Sequence, residues 1–241
     1  MGNEHGEWIL YGVADNDPYC LHSIDELLDY IDELGFLPLF KNDVPGFSVE
    51  ERTVPYYWWS GNEKRDPWEW RTQAAASHRV AYGKFFAKKA GFISLKWLPY
   101  FANWRRNGYD FDSLCDDGLA SYRKQKIMNL FLDEQALFSF QAKRMAGFGK
   151  DGDKNFDGIV TELQMQMYLV INEFRRRRNK AGDEYGWSIA VLSTPESIWG
   201  YDVLSSSYGE SPEESKERIY KHLKELCPIA TEKQIDSILK Y

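Results

Sequence analysis

Apolar and polar positions follow the period of a helix in the segment after Ser23. Ser23 and Glu26 have the spacing of a capping box, and Gly35 can end the helix that they begin. The apolar positions in between recur every three or four residues: Leu27, Leu28, Ile31 and Leu34. The pattern predicts a helix over residues 24–34, followed by a short apolar run at 36–40.

More helices are predicted on both sides of the middle of the chain. The alanine-rich segment 72–86 is interpreted as helical, and Ser94 is expected to cap a helix with several aromatic residues on one face. Ser211 and Thr231 each stand three residues before a glutamate or glutamine, the spacing of a helix start. Two helices are therefore expected near the carboxyl end.

The central segment changes partway along from a helical period to a strand period. The predicted elements are, in order, helices over residues 119–132 and 135–145, a third helix capped by Asn155 or Asp157, and strands over 168–171 and 187–192. Three helices followed by a hairpin with a charged tip is the order of a winged helix. We therefore expect an α+β, mostly helical fold with a winged-helix (helix-turn-helix) domain and a short β-hairpin wing.

The same patterns divide the chain into three predicted domains. Residues 1–118 are expected to form a helical, aromatic-rich domain, residues 119–200 the winged helix, and residues 201–241 a helical extension. The segment 53–71 contains six tryptophans and tyrosines and is expected to form loops and short strands. Its aromatic residues are interpreted as core packing, with a pocket for an extruded base as the alternative.

A winged helix places its third helix in the major groove and its hairpin along the backbone. Gln164 and Gln166 are therefore candidate base readers, because glutamine can make two hydrogen bonds to adenine. Basic residues of the hairpin are candidate phosphate ligands: Arg175, Arg176, Arg177, Arg178 and Lys180. Since neighbours on a strand point to opposite faces, two or three of these arginines are expected to contact phosphate. The alternative is a winged helix that only packs against another domain.

The distribution of charge bears on this interpretation. The chain has a net charge of −7, which by itself disfavours binding to nucleic acid. Between Arg71 and Ala181, however, 20 basic and 11 acidic residues give a local charge of +9, and the remaining residues carry −16. A basic middle between acidic ends is expected where one module meets phosphate. The alternative is that the basic residues lie on solvated faces.

No cofactor and no metal site is predicted from spacing. The cysteines and histidines are few and scattered: Cys20, Cys115, Cys227, His5, His22, His78 and His222. Residues 153–160 fit the first eight positions of a calcium-binding loop, but position 12 is Gln164, which lacks the required carboxylate. A turn that leads into a helix cap is favoured over a calcium site.

The chain is expected to be soluble and cytoplasmic, without a membrane partner. No stretch approaches the roughly 18 consecutive apolar residues of a membrane helix, and the first residues lack the pattern of a signal peptide. Three separated cysteines fit a reducing compartment. The oligomeric state is not predicted.

Two stretches resemble the winged-helix DNA glycosylases of the AlkZ-like family, which excise alkylated or crosslinked bases. One is residues 156–167, FDGIVTELQMQM, followed by the arginine-rich hairpin. The other is residues 85–94, FFAKKAGFIS, followed by an aromatic segment that ends in Trp104, Arg105 and Arg106. The resemblance implies double-stranded DNA as partner, and we include Arg105 and Arg106 among the predicted DNA-binding residues.

The sequence departs from this family at the place of its catalysis. The resemblance implies a Gln-x-Gln or Gln-x-Asp motif after the first helix, but residues 36–40 read FLPLF. Gln164 and Gln166 repeat the letters in another element, so no catalytic residue is assigned to them. The favoured hypothesis is a DNA-binding, non-catalytic or atypical relative. The alternatives are an active glycosylase, and a protein-interaction module that does not bind nucleic acid.

Overall fold

The computed structural model describes residues 9–241 and shows an α+β fold with two small antiparallel sheets. The α-helices described in this range are α1 (Ile24–Leu34), α2 (Pro67–Ser77), α3 (Leu98–Arg106), α4 (Phe111–Asp116), α5 (Tyr122–Met128), α6 (Ser139–Met145), α7 (Phe156–Met165), α8 (Pro195–Trp199), α9 (Tyr201–Ser205), α10 (Pro212–Leu226) and α11 (Glu232–Leu239). The strands are β1 (Phe36–Pro38), β2 (Val80–Phe86), β3 (Lys89–Ser94), β4 (Leu137–Phe138), β5 (Val170–Arg178) and β6 (Glu184–Ser193). Short 3-10 helices lie at Glu50–Arg52, Pro55–Tyr57 and Asn129–Leu132.

Helix α1 begins and ends where the sequence predicts. The Ser23 hydroxyl accepts a hydrogen bond from the backbone N–H of Glu26, which satisfies one of the free donors of the first turn. Gly35 ends the helix with φ of +86°, a conformation that residues with a side chain rarely adopt. The apolar face of α1, with Leu27 and Ile31, is fully buried.

The first sheet has the order β1-β3-β2. Phe36 of β1 stands opposite Ile93 of β3. Strands β2 and β3 form a hairpin whose turn residues, Ala87 and Lys88, have φ of +47° and +66°. The helix predicted over residues 72–86 is therefore wrong in its second half.

The physical reason lies at the end of helix α2. His78 adopts the left-handed conformation with φ of +55°, and its N–H closes the last turn on the carbonyl of Ala75. The strand that follows is buried on both faces, so it lacks the alternation that marks a half-buried strand.

Helix α3 also begins later than predicted. Trp97, not Ser94, precedes its first turn, and no side chain caps it. The backbone N–H of Ser94 donates to the carbonyl of Gly35 at 2.8 Å, which extends the pairing of β3 instead. The predicted aromatic face is present, with Phe101 and Trp104 buried.

The second sheet has the order β4-β6-β5. Leu137 of β4 pairs with Leu192, and Val170 of β5 pairs with Ser193. The helix predicted over 135–145 begins only at Ser139, because the two residues before it form β4. Asn155 directly precedes α7 with φ of +66°, in agreement with one of the two predicted starts.

The two sheets share one connectivity. In each, a short first strand pairs with the last strand of a hairpin, so β1, β2 and β3 correspond to β4, β5 and β6. A helix precedes each first strand, and at least one helix separates it from the hairpin. This structural repeat leaves no trace as a sequence repeat.

Two hydrophobic cores underlie this arrangement. The larger core joins α1, α2 and the first sheet to the carboxyl-terminal helices through residues such as Leu223 and Ile238. The smaller core joins α5, α6 and α7 to the second sheet. The division into three domains stays a prediction. Among residues 9–241, no helix is both long and apolar enough to cross a bilayer.

Candidate nucleic-acid interface

Hairpin β5–β6 reaches beyond the second core and ends in the turn 179–183. Its exposed cations are Arg175, Arg176, Arg177, Arg178 and, in the turn, Lys180. The side-chain oxygen of Asn179 accepts hydrogen bonds from the N–H groups of Ala181 and Asp183, which fixes the turn. We refer to residues 175–187 as the wing.

The arginines of the wing divide between two faces, as expected for neighbours on a strand. The Arg175 and Arg177 guanidinium groups lie 5.0 Å and 4.4 Å from the rings of Phe138 and Phe140. Arg178 pairs with Glu184 of the opposite strand at 3.3 Å. Within residues 9–241, neither Arg176 nor Arg177 has an ion-pair partner, so both charges are available to an anion.

Trp187 of the wing is 92% exposed. The register of the hairpin shifts between Arg175 and Arg177, and this irregularity lies opposite the segment that contains Gly186 and Trp187. A bulge of this kind can direct a side chain out of the sheet. Sequence reasoning did not select Trp187; the available signal was a tryptophan next to glycine inside an otherwise polar hairpin.

The structure buries Gln164, the first predicted base reader, to 3% exposure. Its side-chain oxygen accepts a hydrogen bond of 2.8 Å from the backbone N–H of Lys84 in β2. In the same contact, Met165 Sδ accepts a hydrogen bond from the N–H of Lys88. The first sheet thus covers the face of α7 that a free winged helix would offer to a groove.

The second predicted base reader, Gln166, lies at the end of α7. Its side-chain oxygen accepts a hydrogen bond of 2.9 Å from Lys124 Nζ, and Lys124 also pairs with Glu162 at 3.3 Å. The exposed positions of α7 are Asp157 and Glu162, and both are acidic. Helix α7 therefore presents no cation and no free glutamine to DNA.

Arg106 is buried at the junction of the two cores and does not face solvent. Its Nη1 pairs with Glu196 at 2.6 Å, and its Nη2 donates to the carbonyl of Met167 at 2.7 Å. Burial acts to lower the pKa of Arg106, but Glu196 and then Tyr208 outweigh burial and hold the pKa above its usual value.

Arg105 is equally buried but has no carboxylate partner within residues 9–241. Its Nη1 donates to the carbonyl of Met165 at 3.3 Å, whereas Nε and Nη2 have no hydrogen-bond partner. Burial lowers the pKa of Arg105 to about 9. Neither Arg105 nor Arg106 is placed to meet DNA, which corrects their assignment as DNA-binding residues.

The place that the family resemblance marks for catalysis is apolar. Phe36 and Leu37 of β1 and the following Leu39 are fully buried. A cavity of about 420 Å³ lies just beyond them, at Phe40 and Lys41, with Glu50 and Tyr11 in its wall.

The polar groups of this cavity are held by the backbone. Both carboxylate oxygens of Glu50 accept hydrogen bonds, one from the N–H of Tyr11 at 2.8 Å and one from the N–H of Lys41 at 2.9 Å. The Lys41 ammonium lies 3.5 Å from the centre of the Tyr11 ring. The cavity thus has an aromatic wall, a buried carboxylate and a cation.

The aromatic segment 53–71 contributes no residue to this cavity wall. Trp58 and Trp70 belong to the larger core, and Trp59 packs between Trp58 and Trp68 at 5.7 Å and 6.2 Å between ring centres. The segment contains one 3-10 helix, Pro55–Tyr57, and the start of α2 instead of the expected strands. Trp58 and Trp70 thus fit the core packing favoured from the sequence, whereas Tyr56 and Trp59 are exposed.

The calcium-like loop is occupied by other contacts. The Asp153 carboxylate pairs with Lys126 Nζ at 2.8 Å, and Asp157 lies 4.0 Å from Lys143 Nζ.

Of the four histidines, His5 lies outside the described residues. His222 stacks on Trp97 with 4.1 Å between ring centres.

Comparison with known proteins gives one family and one solved fold. A family model described as AlkZ related matches residues 21–240. The solved structure of the DNA glycosylase AlkZ from Streptomyces sahachiroi is similar, with a TM-score of 0.43 and 11% sequence identity. The match covers 91% of this chain and 59% of that chain, so this chain spans well under two thirds of that length. No curated protein matches the sequence.

Proposed function

The chain belongs to the AlkZ-related family, and from that premise we propose that it is a DNA-binding protein with a DNA-repair-related function. Its central part acts as a winged helix that holds duplex DNA through the wing. The observation that carries this proposal is the run of four exposed arginines on a hairpin that follows helices α5, α6 and α7. Exposed arginines are the usual ligands of phosphate groups.

In this proposal the wing, and not helix α7, makes the main contact with DNA. Because β2 and the β2–β3 turn cover α7 at Gln164 and Met165, that helix packs between the two sheets. Phosphate contacts hold a protein on the duplex but carry little sequence information. The proposed binding is therefore weakly dependent on base sequence.

Salt dependence measures the number of phosphates that the wing neutralises. Each neutralised phosphate contributes about −0.9 to the slope of log K against log salt concentration. Four arginines and Lys180 set an upper limit of five contacts, and hence a slope no steeper than about −4.5. Fluorescence anisotropy with a labelled duplex over a series of salt concentrations gives this slope directly. An affinity that does not change with salt, or no binding at low salt, refutes the proposal.

A double charge reversal tests whether the wing supplies the cations. Arg176→Glu with Arg177→Glu removes the two arginines without ion pairs and is expected to reduce the slope by about 2. Lys216→Glu with Lys221→Glu, on α10, changes the net charge equally and is the matched control. Equal loss of binding in both variants would point to net charge and not to the wing.

Trp187 provides a second test that does not involve charge. An exposed indole next to phosphate-binding arginines can stack on a base or enter a groove. Trp187→Ala is expected to weaken binding while the salt slope stays that of the unchanged chain. A change in slope would show that the substitution disturbs the arginines instead.

The 420 Å³ cavity beside β1 favours glycosylase activity as a second candidate function. An extruded base could enter the cavity beside the Tyr11–Lys41 contact, with Glu50 as the acidic group. Release of a free base from alkylated duplex DNA, and its loss in Glu50→Gln, tests this function. Binding without release favours the non-catalytic hypothesis. No DNA binding together with stable self-association favours the protein-interaction alternative.

A further inference from the structure

Three side chains with different donor atoms converge in the segment before α1. A carboxylate oxygen of Asp15, Sγ of Cys20 and a ring nitrogen of His22 all lie within 4.8 Å of one another. The separation between Asp15 Oδ1 and His22 Nδ1 is 3.4 Å. Ligand atoms of a tetrahedral zinc ion lie at about 2.0–2.3 Å from the metal. Small side-chain rotations would bring the three atoms to such distances.

The backbone of this segment is fixed, so the convergence does not depend on a loose loop. The N–H of Val13 donates to the carbonyl of Thr53 at 3.1 Å, and the N–H of Leu21 donates to the carbonyl of Arg52 at 2.7 Å. Between these two anchors, the N–H of Cys20 closes a turn on the carbonyl of Asp17 at 3.0 Å. Both ends of the segment are thereby tied to the backbone of Arg52 and Thr53.

The Asp15 carboxylate has one oxygen engaged and one available. His22 Nδ1 and an Arg65 guanidinium nitrogen both contact Oδ1. Within residues 9–241, Oδ2 has no hydrogen-bond or ion-pair partner. A ligating carboxylate commonly accepts a hydrogen bond from an outer residue, which orients it toward the metal. Arg65 fills that position here.

The electrostatic environment of the thiol favours a cation. The carboxylates of Asp15, Asp17 and Glu26 place negative charge around the Cys20 thiol. Only Arg65 opposes them. Three carboxylates therefore face one guanidinium around a buried sulfur atom, and a divalent ion would reduce this excess of negative charge.

We propose that Asp15, Cys20 and His22 bind one zinc ion. Thiolate, imidazole and carboxylate together suit zinc, whereas magnesium and calcium prefer oxygen ligands alone. Three protein ligands leave the fourth position of a tetrahedral site for water. The ion would hold the segment before α1 against Arg65, which precedes α2. The proposal does not rest on DNA binding.

The test is zinc binding by the full chain. Protein prepared without chelator is dialysed against zinc and then against metal-free buffer, and zinc is counted by mass spectrometry. The expected result is one zinc per chain, with affinity at least tenfold lower in Cys20→Ser and in His22→Ala. Cys115→Ser is the matched control, because Cys115 lies in α4, outside the cluster, and its loss should leave zinc binding unchanged.

Cobalt substitution tests directly whether the Cys20 sulfur binds the metal. A cysteine with only a structural role would not change the absorption spectrum of the bound cobalt. The cobalt-loaded chain is expected to show a thiolate-to-cobalt charge-transfer band that is missing in Cys20→Ser and present in Cys115→Ser. If Cys20→Ser does not fold, Asp15→Asn replaces it and should weaken zinc binding at least tenfold. Failure of the unchanged chain to bind zinc in a competition titration overturns the proposal, as does unchanged binding in His22→Ala.

Discussion

The neighbouring arginines of α3 provide the sharpest test of how the chain is held together. The Arg106 guanidinium contacts four partners between the two cores, through ion pairs or hydrogen bonds: Glu196, Asp110, Tyr208 and the carbonyl of Met167. Arg105, one position earlier, is as deeply buried but makes one hydrogen bond, to the carbonyl of Met165, and otherwise lies against aromatic rings. Arg106→Met and Arg105→Met therefore make the same chemical change in two opposite electrostatic settings.

The expected cost of Arg106→Met can be worked from its contacts. Removing one partner of a buried ion pair costs about 3–5 kcal/mol, because a charge remains without its counterion. Glu196 and Asp110 keep 29% and 35% side-chain exposure, so water can solvate part of the charge left behind. The buried carbonyl of Met167 also loses its donor, at about 1–3 kcal/mol. We therefore expect Arg106→Met to lower the free energy of unfolding by about 3 kcal/mol, the lower end of the range for a broken buried ion pair.

Arg105→Met should behave differently. It removes a buried cation whose low pKa already reflects unfavourable burial, and it leaves no counterion behind. The carbonyl of Met165 loses a long donor contact of 3.3 Å, which places this loss at the lower end of about 1–3 kcal/mol. Replacing buried charge with an apolar side chain of similar volume is often neutral or stabilising. The free energy of unfolding should therefore stay within about 1 kcal/mol of that of the unchanged chain or rise above it.

Urea unfolding followed by tryptophan fluorescence and circular dichroism measures both values. A loss of about 3 kcal/mol lowers the melting temperature of a chain of this size by roughly 6–12 °C. DNA affinity measured well below that temperature should not change in either variant. The reasoning is refuted if Arg105→Met destabilises the chain more than Arg106→Met does, or if either variant weakens DNA binding while its stability is unchanged.

Three further predictions follow from local structure. Gly35→Ala should cost at least about 1 kcal/mol, since φ is +86° and the new Cβ would lie 2.4 Å from the Trp97 ring; urea unfolding measures this loss. Ser211→Ala should cost about 1 kcal/mol through loss of the α10 cap, whereas Ser211→Thr, its control, should cost less. Burial raises the pKa of Tyr208 and Tyr220 to about 12, so stability should be intact below pH 10 and fall between pH 10 and 12. A midpoint of urea unfolding that is constant over that range contradicts this last expectation.

Helix starts could be predicted from the sequence because their physics is local. The hydroxyls of Ser23, Ser211 and Thr231 each accept a hydrogen bond from the backbone N–H three residues later. All the information needed for that bond lies within four residues. The same holds for Gly35, where a residue without a side chain ends α1.

The parts that were missed depend on distant residues or lack a local signal. The β2–β3 turn uses Ala87 and Lys88 in the left-handed conformation, where glycine or asparagine would have marked it. Gln164 resembles a surface base reader in the sequence, but its partner is the N–H of Lys84, 80 positions earlier. No window along the chain reveals that pairing, because it forms only when α7 packs on the first sheet.

Three buried arginines show why the net charge of residues 71–181 overstates the positive charge on the surface of the protein. Arg71, Arg105 and Arg106 contribute to the positive charge of residues 71–181, yet all three are buried. Their guanidinium groups lie against aromatic rings or backbone carbonyls, as with Arg71, 3.6 Å from the Trp68 ring. A phosphate can reach only the exposed fraction of that charge, and the wing holds its densest part. Family membership, a covered α7 and an apolar β1 are all compatible with the proposed arrangement, in which the wing contacts the phosphates of duplex DNA.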